Sequence, residues 1–283
     1  MAEAEMAADV VSAPVSASKL LVERARKSFR QASGAEISAI ADLSFSVKSG
    51  EYVAIVGPTG AGKSVLLDCL LGLKHLDAGQ IRIDGLPVEN FIREKKGHVT
   101  RIFQEDRLLP WLSATDNAAF GLQIQGVAQA ERRKQAARWL DAVGLSAFKD
   151  ALPRELSGGM RQRVNIARAF APNPELVLLD EAFSALDEVT ASRLRQDFKT
   201  LAQSQQTTFL IVTHSIEEAI FLANRILVFG APARLMAEIA VPSQAWEDRA
   251  VSDLIKDEVR SLIVAGARPA NGNPSYSITR DKI

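Results

Sequence analysis

The eight residues GPTGAGKS, from Gly57 to Ser64, combine three glycines with a lysine and a serine. They follow the apolar run YVAIV and lead into SVLLDCLLGL, whose apolar spacing is helical. Glycine lets the backbone turn tightly enough for successive N–H groups to point at one spot. The helix that follows brings the positive end of its dipole to the same spot. In a strand–G-x-x-x-x-G-K-[ST]–helix arrangement the lysine reaches terminal phosphates and the serine hydroxyl ligates Mg²⁺, so the expected occupant is a nucleoside triphosphate. The residues expected to hold it are Gly57, Pro58, Thr59, Gly60, Ala61, Gly62, Lys63, Ser64 and Val65.

Such a loop needs a second acid for the metal, and LVLLDE supplies one. Asp180 ends an apolar strand, and the carboxyl ends of parallel strands are where ligands sit in such sheets. On that reading Asp180 holds Mg²⁺ through water, and Glu181 orients or deprotonates the attacking water. His214 ends the apolar run TFLIVTH and should emerge at the same edge. Two readings are open there: a hydrogen bond to a phosphate oxygen that gains charge, or a cap on the helix starting near Ile216. Gln104, at the end of VTRIFQ, can touch the metal or the water, or lie on the surface.

LSGGMRQR, from Leu156 to Arg163, is a second helix start. Ser157, Gly158 and Gly159 offer a hydroxyl, exposed N–H groups and a helix dipole, with arginines close by in sequence. The same residues also make an ordinary serine N-cap with a flexible glycine pair. If this element does not face GPTGAGKS within one chain, a head-to-tail dimer brings the two together.

The elements that position these residues are those of an α/β protein. YVAIVG, LVLLD, TFLIVTH and RILVF read as parallel strands buried on both faces. Helical patterns separate them: the stretch after Ser64, TASRLRQDFKTLAQ, and IEEAIFLANR ending at Arg225. LLVERARKSF, ISAIADLSFSV and IRIDGLPV alternate and carry turn residues, which predicts an antiparallel sheet beside the main one. From about Asp106 to Ala169 the pattern is helical, with Gly144 ending ERRKQAARWLDAVGL. A late amphipathic helix aligns Val251, Leu254, Ile255, Val259 and Leu262, and ARPANGNPSYS reads as a loose tail. The expected division is a tail over 1–18, a nucleotide-binding P-loop domain over 19–243 with a helical subdomain at about 106–169, and a C-terminal helix and tail over 244–283.

Composition narrows the partners. Lysine plus arginine and aspartate plus glutamate each number 34 in 283 residues, so the balance does not favour nucleic acid. A single cysteine, Cys69, cannot form an internal disulfide. No apolar run approaches the roughly 18 residues of a membrane span, and the first residues do not form a secretory signal. The expectation is a cytoplasmic chain whose membrane role comes through a partner.

Together these residues resemble the nucleotide-binding subunit of an ATP-binding cassette transporter, over roughly Leu20 to Val241. GPTGAGKS is similar to that family's Walker A, Gln104 to its Q-loop glutamine and LSGGMRQR to its signature motif. LVLLDE resembles Walker B with its catalytic glutamate, SALD (Ser184 to Asp187) the D-loop, and His214 the switch histidine. The resemblance implies a P-loop ATPase core with a mostly parallel sheet, an antiparallel β subdomain and a helical subdomain. It implies two ATP sites between paired subunits, identical or sibling. One subunit gives Lys63, Ser64, Gln104, Asp180, Glu181 and His214, and the other gives Ser157, Gly158 and Gly159, with Asp187 beside the nucleotide. Mg²⁺ falls to Ser64, Gln104 and Asp180, and adenine stacks on Phe29, where many members have tyrosine.

FQEDRLLPWLSATDNAAFGL is similar to importers of nitrate, aliphatic sulfonates, taurine and related solutes. Within it, Trp111 is either a core residue of the helical region or an aromatic that docks a membrane subunit. PARLMAEI departs from that branch's PGRI-like stretch, and Ser215 stands where an aspartate often follows the histidine. The resemblance implies transmembrane permease partners, an indirect link to a solute-binding protein and a peripheral place on the cytoplasmic face of the cell membrane. The alternatives are an exporter or a soluble cassette ATPase acting on DNA or ribosomes. The latter usually carry two cassettes or a long coiled-coil insertion, whereas this chain shows one motif set and no sustained heptads. A GTPase would need an NKxD-like element, and none is found.

Overall fold

A computed structural model describes residues 18–31, 34–205 and 207–266. Residues 1–17 and ARPANGNPSYS, both expected as tails, lie outside them, while Ser18 opens the first strand.

Strand β1 (Ser18–Arg30) pairs antiparallel with β2 (Glu36–Lys48) and β4 (Ala78–Ile83), and β4 pairs with the short β5 (Leu86–Pro87). This is the antiparallel sheet expected from the three alternating segments, in the order β2-β1-β4-β5. The main sheet runs β10-β9-β3-β8-β7-β6. Its members are β3 (Tyr52–Val56), β6 (Val99–Ile102), β7 (Leu176–Asp180), β8 (Thr208–Val212), β9 (Arg225–Gly230) and β10 (Arg234–Ala240). The pairs from β9 to β6 are parallel and β10 closes the edge antiparallel.

Continuous apolar runs form these strands because both faces are covered. Alternate residues serve two cores. Ala54, Val177, Phe209, Ile211, Ile226 and Val228 face the helical side. Val53, Ile55, Leu178, Leu210, Val212 and Leu227 face the antiparallel sheet and α1 (Lys63–Leu70). The helical side also holds α3 (Ala114–Ala118), α4 (Phe120–Ile124), α5 (Gln129–Ala142), α6 (Gly158–Phe170), α7 (Glu188–Gln203) and α8 (Ile216–Leu222). The remaining helices are α2 (Val88–Glu94), beside β4, and α9 (Arg249–Gly266). Gly144, just past α5, takes φ 75°, as its helix-ending role requires.

Three expectations are corrected. The helix expected to reach Arg225 stops at Leu222, because Ala223 turns extended and Asn224 exchanges hydrogen bonds with the Tyr52 backbone. Pairing with β3 thus overrides local helical preference. On α9, Leu254 is 71% exposed although Ile255 and Val259 of the same expected face are buried against the core. VTRI and RLMAEIA, not read as strands, complete the main sheet at its two edges.

Candidate active site

Between β3 and α1 the chain makes the turn that the glycines allow. Gly62 caps α1 at φ 88°, and a Cβ there would lie 2.1 Å from the Ala39 carbonyl oxygen. A Cβ on Gly57 would lie 2.6 Å from the Phe229 carbonyl oxygen. The loop is therefore wedged between β2 and β9, and only glycine fits these two points. Thr59, Gly60 and Ser64 remain exposed, while Ala61 and Lys63 are buried and Pro58 and Val65 partly so. The Lys63 ammonium folds back onto the carbonyls of Gly57 (2.8 Å) and Pro58 (2.9 Å). Burial pulls the Lys63 pKa down from the ordinary lysine value, against the opposing pull of the Glu181 and Asp180 charges. A desolvated ammonium bonded to two neutral carbonyls is suited to an anionic ligand that replaces them.

Asp180 ends β7, and Glu181 follows at φ 49°, a left-handed conformation uncommon for a non-glycine residue. The geometry is over-determined around it. The Glu181 N–H donates to the Val212 carbonyl (2.9 Å), and its own carbonyl accepts from the Ser184 N–H (3.1 Å) and hydroxyl (2.8 Å). Phe183, fully buried and edge-on to Phe198 at 5.7 Å, anchors the loop from below. Burying such a ring contributes roughly 2 kcal/mol.

His214 leaves β8 at the same edge, with its Nδ1 3.3 Å from Glu181 Oε2. It does not cap the next helix: Ser215 does, its hydroxyl accepting from the Glu218 N–H at 3.2 Å. Gln104 is exposed just past β6, on the neighbouring strand of the same edge. The structure thus brings Lys63, Asp180, Glu181 and His214 together.

Ser157 caps α6, its hydroxyl accepting from the Met160 N–H at 3.3 Å, and Ser157 and Gly158 stand exposed. The arginines expected to join this tip are spent elsewhere. Arg161 donates to Asp106 and the Leu156 carbonyl, and Arg163 to the Val143 carbonyl and Asp197. An anion at the tip would meet the hydroxyl and backbone N–H groups, with the Arg161 guanidinium close by: a Cβ on Gly158 would lie 3.9 Å from its Nη2. Gly159 lies against α7, where a Cβ would meet Thr190 Cγ2 at 2.9 Å. Asp187 caps α7 by accepting from the Thr190 N–H (3.0 Å). Among the described residues, no hydrogen bond or ion pair joins residues 57–65 to 157–159. Phe29 is 38% exposed on β1, with the Lys27 ammonium 5.5 Å from its ring centre. Trp111 is 72% exposed and so is not a core residue.

Three residues at the site escaped the sequence reading. Gln162, buried on α6, donates to the carbonyls of Phe103 (3.2 Å) and Ala182 (2.5 Å). It ties the backbone before Gln104 to the backbone after Glu181. Arg101, on β6, bridges Asp180 and Asp68. Glu218, buried on α8 with its carboxyl bonded to Thr213, is pushed up to about 7 by burial. A charge inside VTRIFQ was the available signal for Arg101. Gln162 and Glu218 sit in ordinary helical contexts and gave none.

The ABC transporter family's sequence pattern matches residues 40–184. A taurine import ATP-binding protein of Pseudomonas aeruginosa is 40% identical over 225 residues, covering 79% of this chain and 84% of that protein. A nitrate import ATP-binding protein of a Synechocystis species is 39% identical over 206 residues, covering 72% and 76%. The dimeric structure of an ATP-binding cassette in a post-hydrolysis state with ADP and Pi superposes with a TM-score of 0.71. It is 30% identical and covers 79% of this chain and 99% of that one. With its P-loop core, its antiparallel and helical additions and these relatives, the chain belongs to the ABC transporter family.

Proposed function

We propose that this chain is the ATP-hydrolysing subunit of an importer for a small solute of the taurine, sulfonate or nitrate kind. The observation that carries the reading is the meeting of Lys63, Asp180, Glu181 and His214 at one sheet edge beside the Gly57–Ser64 turn. Similarity to taurine and nitrate import subunits supports the solute class.

The hard oxygen donors on Ser64, Asp180 and Gln104 fit Mg²⁺. Bound there, that ion would neutralise charge on the phosphates. Phosphate oxygens take the Lys63 ammonium from the Gly57 and Pro58 carbonyls and accept the N–H groups of Gly60 to Val65. Adenine stacks on Phe29. Glu181 accepts the proton of the attacking water, and His214 hydrogen-bonds the γ-phosphate. The tip of Ser157, Gly158 and Gly159, whose first two residues are exposed and which among the described residues makes no hydrogen bond or ion pair to residues 57–65, is free to close on the nucleotide held by a second cassette, with Asp187 beside it. ATP bridges the two subunits and hydrolysis removes the bridge. Permease subunits, docked near Trp111 at the cytoplasmic face of the membrane, turn closure into alternating access. Among the described residues, no helix is long and apolar enough to cross a membrane.

The test is copurification with the permease subunits, followed by ATPase assays with and without solute-loaded binding protein. Stimulation by a taurine-like or nitrate-like solute supports the reading. ATP turnover without any membrane partner or solute effect contradicts it.

A further inference from the structure

The Arg101 side chain is 9% exposed and lies between two carboxylates. One guanidinium nitrogen donates to Asp68 Oδ1 at 2.9 Å, and the other donates to Asp180 Oδ2. Its Nε is buried with no hydrogen-bond partner, and its guanidinium carbon sits 4.7 Å from the centre of the Phe103 ring. A buried guanidinium with an orphaned donor is costly, so a residue of β6 that links α1 to β7 in this way calls for a reason. Asp180 is the carboxylate read above as the metal's, and Asp68 stands one helical turn beyond Ser64 on α1.

We propose that Arg101 is a resident counter-cation of Asp180, which competes with Mg²⁺ for that carboxylate and sets the Mg²⁺ concentration at which nucleotide is held. This rests on Asp180 being the metal-facing acid. A charge-assisted bond from a guanidinium neutralises a carboxylate as a cation would. A second cation approaching Asp180 meets both a satisfied oxygen and a positive neighbour. Asp68 supplies the alternative: the same guanidinium is already bonded to it and can lean fully toward α1 when Asp180 is taken. Lys74 also pairs with Asp68 and limits how strongly Asp68 draws the arginine. Because Arg101 stacks on Phe103, next to Gln104, its position also bears on the glutamine at the same edge. Arg101 is a positioning residue on this reading; nucleotide does not touch it.

The experiment measures binding of a fluorescent, non-hydrolysable ATP analogue to the full-length protein at buffered free Mg²⁺ concentrations. The analogue's own affinity for Mg²⁺ is common to all samples and cancels between variants. Arg101→Met removes the competitor and should lower the half-effective Mg²⁺ concentration by about tenfold. Asp68→Asn leaves the guanidinium to Asp180 alone and should raise it. Loss of folding weakens binding in both variants, so opposite directions cannot come from damage. An unchanged or raised concentration in Arg101→Met overturns the role of Arg101. If binding by the unaltered chain ignores Mg²⁺ altogether, Asp180 is not the metal's carboxylate, and both this inference and that part of the functional reading fall.

Discussion

Glu181 and His214 face each other across the ends of β7 and β8, with Nδ1 3.3 Å from Oε2 and with the glutamate backbone held at φ 49°. On the proposed function, the strained turn holds the carboxylate that activates the attacking water. Glu181→Gln keeps the shape and removes the base. Turnover should fall by about a hundredfold to ten-thousandfold while ATP affinity stays within a few-fold of the unaltered chain. Steady-state ATPase assays beside equilibrium titration check this. Full turnover in the variant would remove Glu181 from the role of base.

Lys63 donates to two carbonyls of its own loop, bonds that phosphate oxygens would take over. Charge-assisted hydrogen bonds contribute roughly 1.5–3 kcal/mol each. Lys63→Ala should therefore weaken nucleotide binding by about ten- to a hundredfold, read by calorimetric titration. Unaltered affinity would mean that the ammonium does not reach the phosphates.

Gly62 and Gly60 separate backbone strain from crowding. Both have positive φ, 88° and 78°, but a Cβ on Gly62 strikes the Ala39 carbonyl whereas one on Gly60 meets nothing within 4 Å. Gly60→Ala should cost about 1 kcal/mol of stability, the left-handed penalty alone. Gly62→Ala should cost about 3 kcal/mol or more. Denaturant unfolding compares them, and equal losses would contradict the wedging of the loop against β2.

Glu218 predicts a pH dependence of stability. Its Oε1 is buried without a hydrogen-bond partner, and Thr213 bonds the carboxyl. Burial raises its pKa from an ordinary 4.5 to about 7, the Arg195 charge opposes this, and the charges of Glu181 and Glu188 add to it. Between those values the folded chain holds a proton that the unfolded chain has released. Stability should fall as pH rises through that window, by about 3 kcal/mol in all, and the deficit persists above it. Glu218→Gln cannot ionise, so its thermal unfolding should gain on the unaltered chain from pH 5 to pH 8. Parallel pH profiles for the two proteins would show that the carboxyl is not held neutral.

Much of the fold and of this site is legible from residue patterns. The strands β3, β7, β8 and β9 are continuous apolar runs, and the glycine spacing of residues 57–62 allows one turn. Asp180 and His214 stand at one edge, as expected, because parallel strands deliver their carboxyl ends to the same side. Other features depend on long-range geometry that local pattern does not carry. The arginines of MRQR look free in sequence, yet Arg161 and Arg163 meet Asp106 and Asp197 once α6 packs. Leu254 fits an apolar helical stripe, but α9 turns it outward. Arg101 is one charge inside VTRIFQ in sequence, and only when β6 and β7 pair and α1 packs beside them are Asp68 and Asp180 set on either side of it.

The most direct measurement is sedimentation velocity of the Glu181→Gln protein with Mg·ATP, with Mg·ADP and after adding Ser157→Arg. If triphosphate is held between the P-loop of one chain and the Ser157–Gly159 tip of another, Mg·ATP alone doubles the mass. Ser157→Arg then returns it to monomer with ATP still bound. A monomer under all conditions, or an ATP-dependent dimer that Ser157→Arg leaves intact, would contradict the shared site.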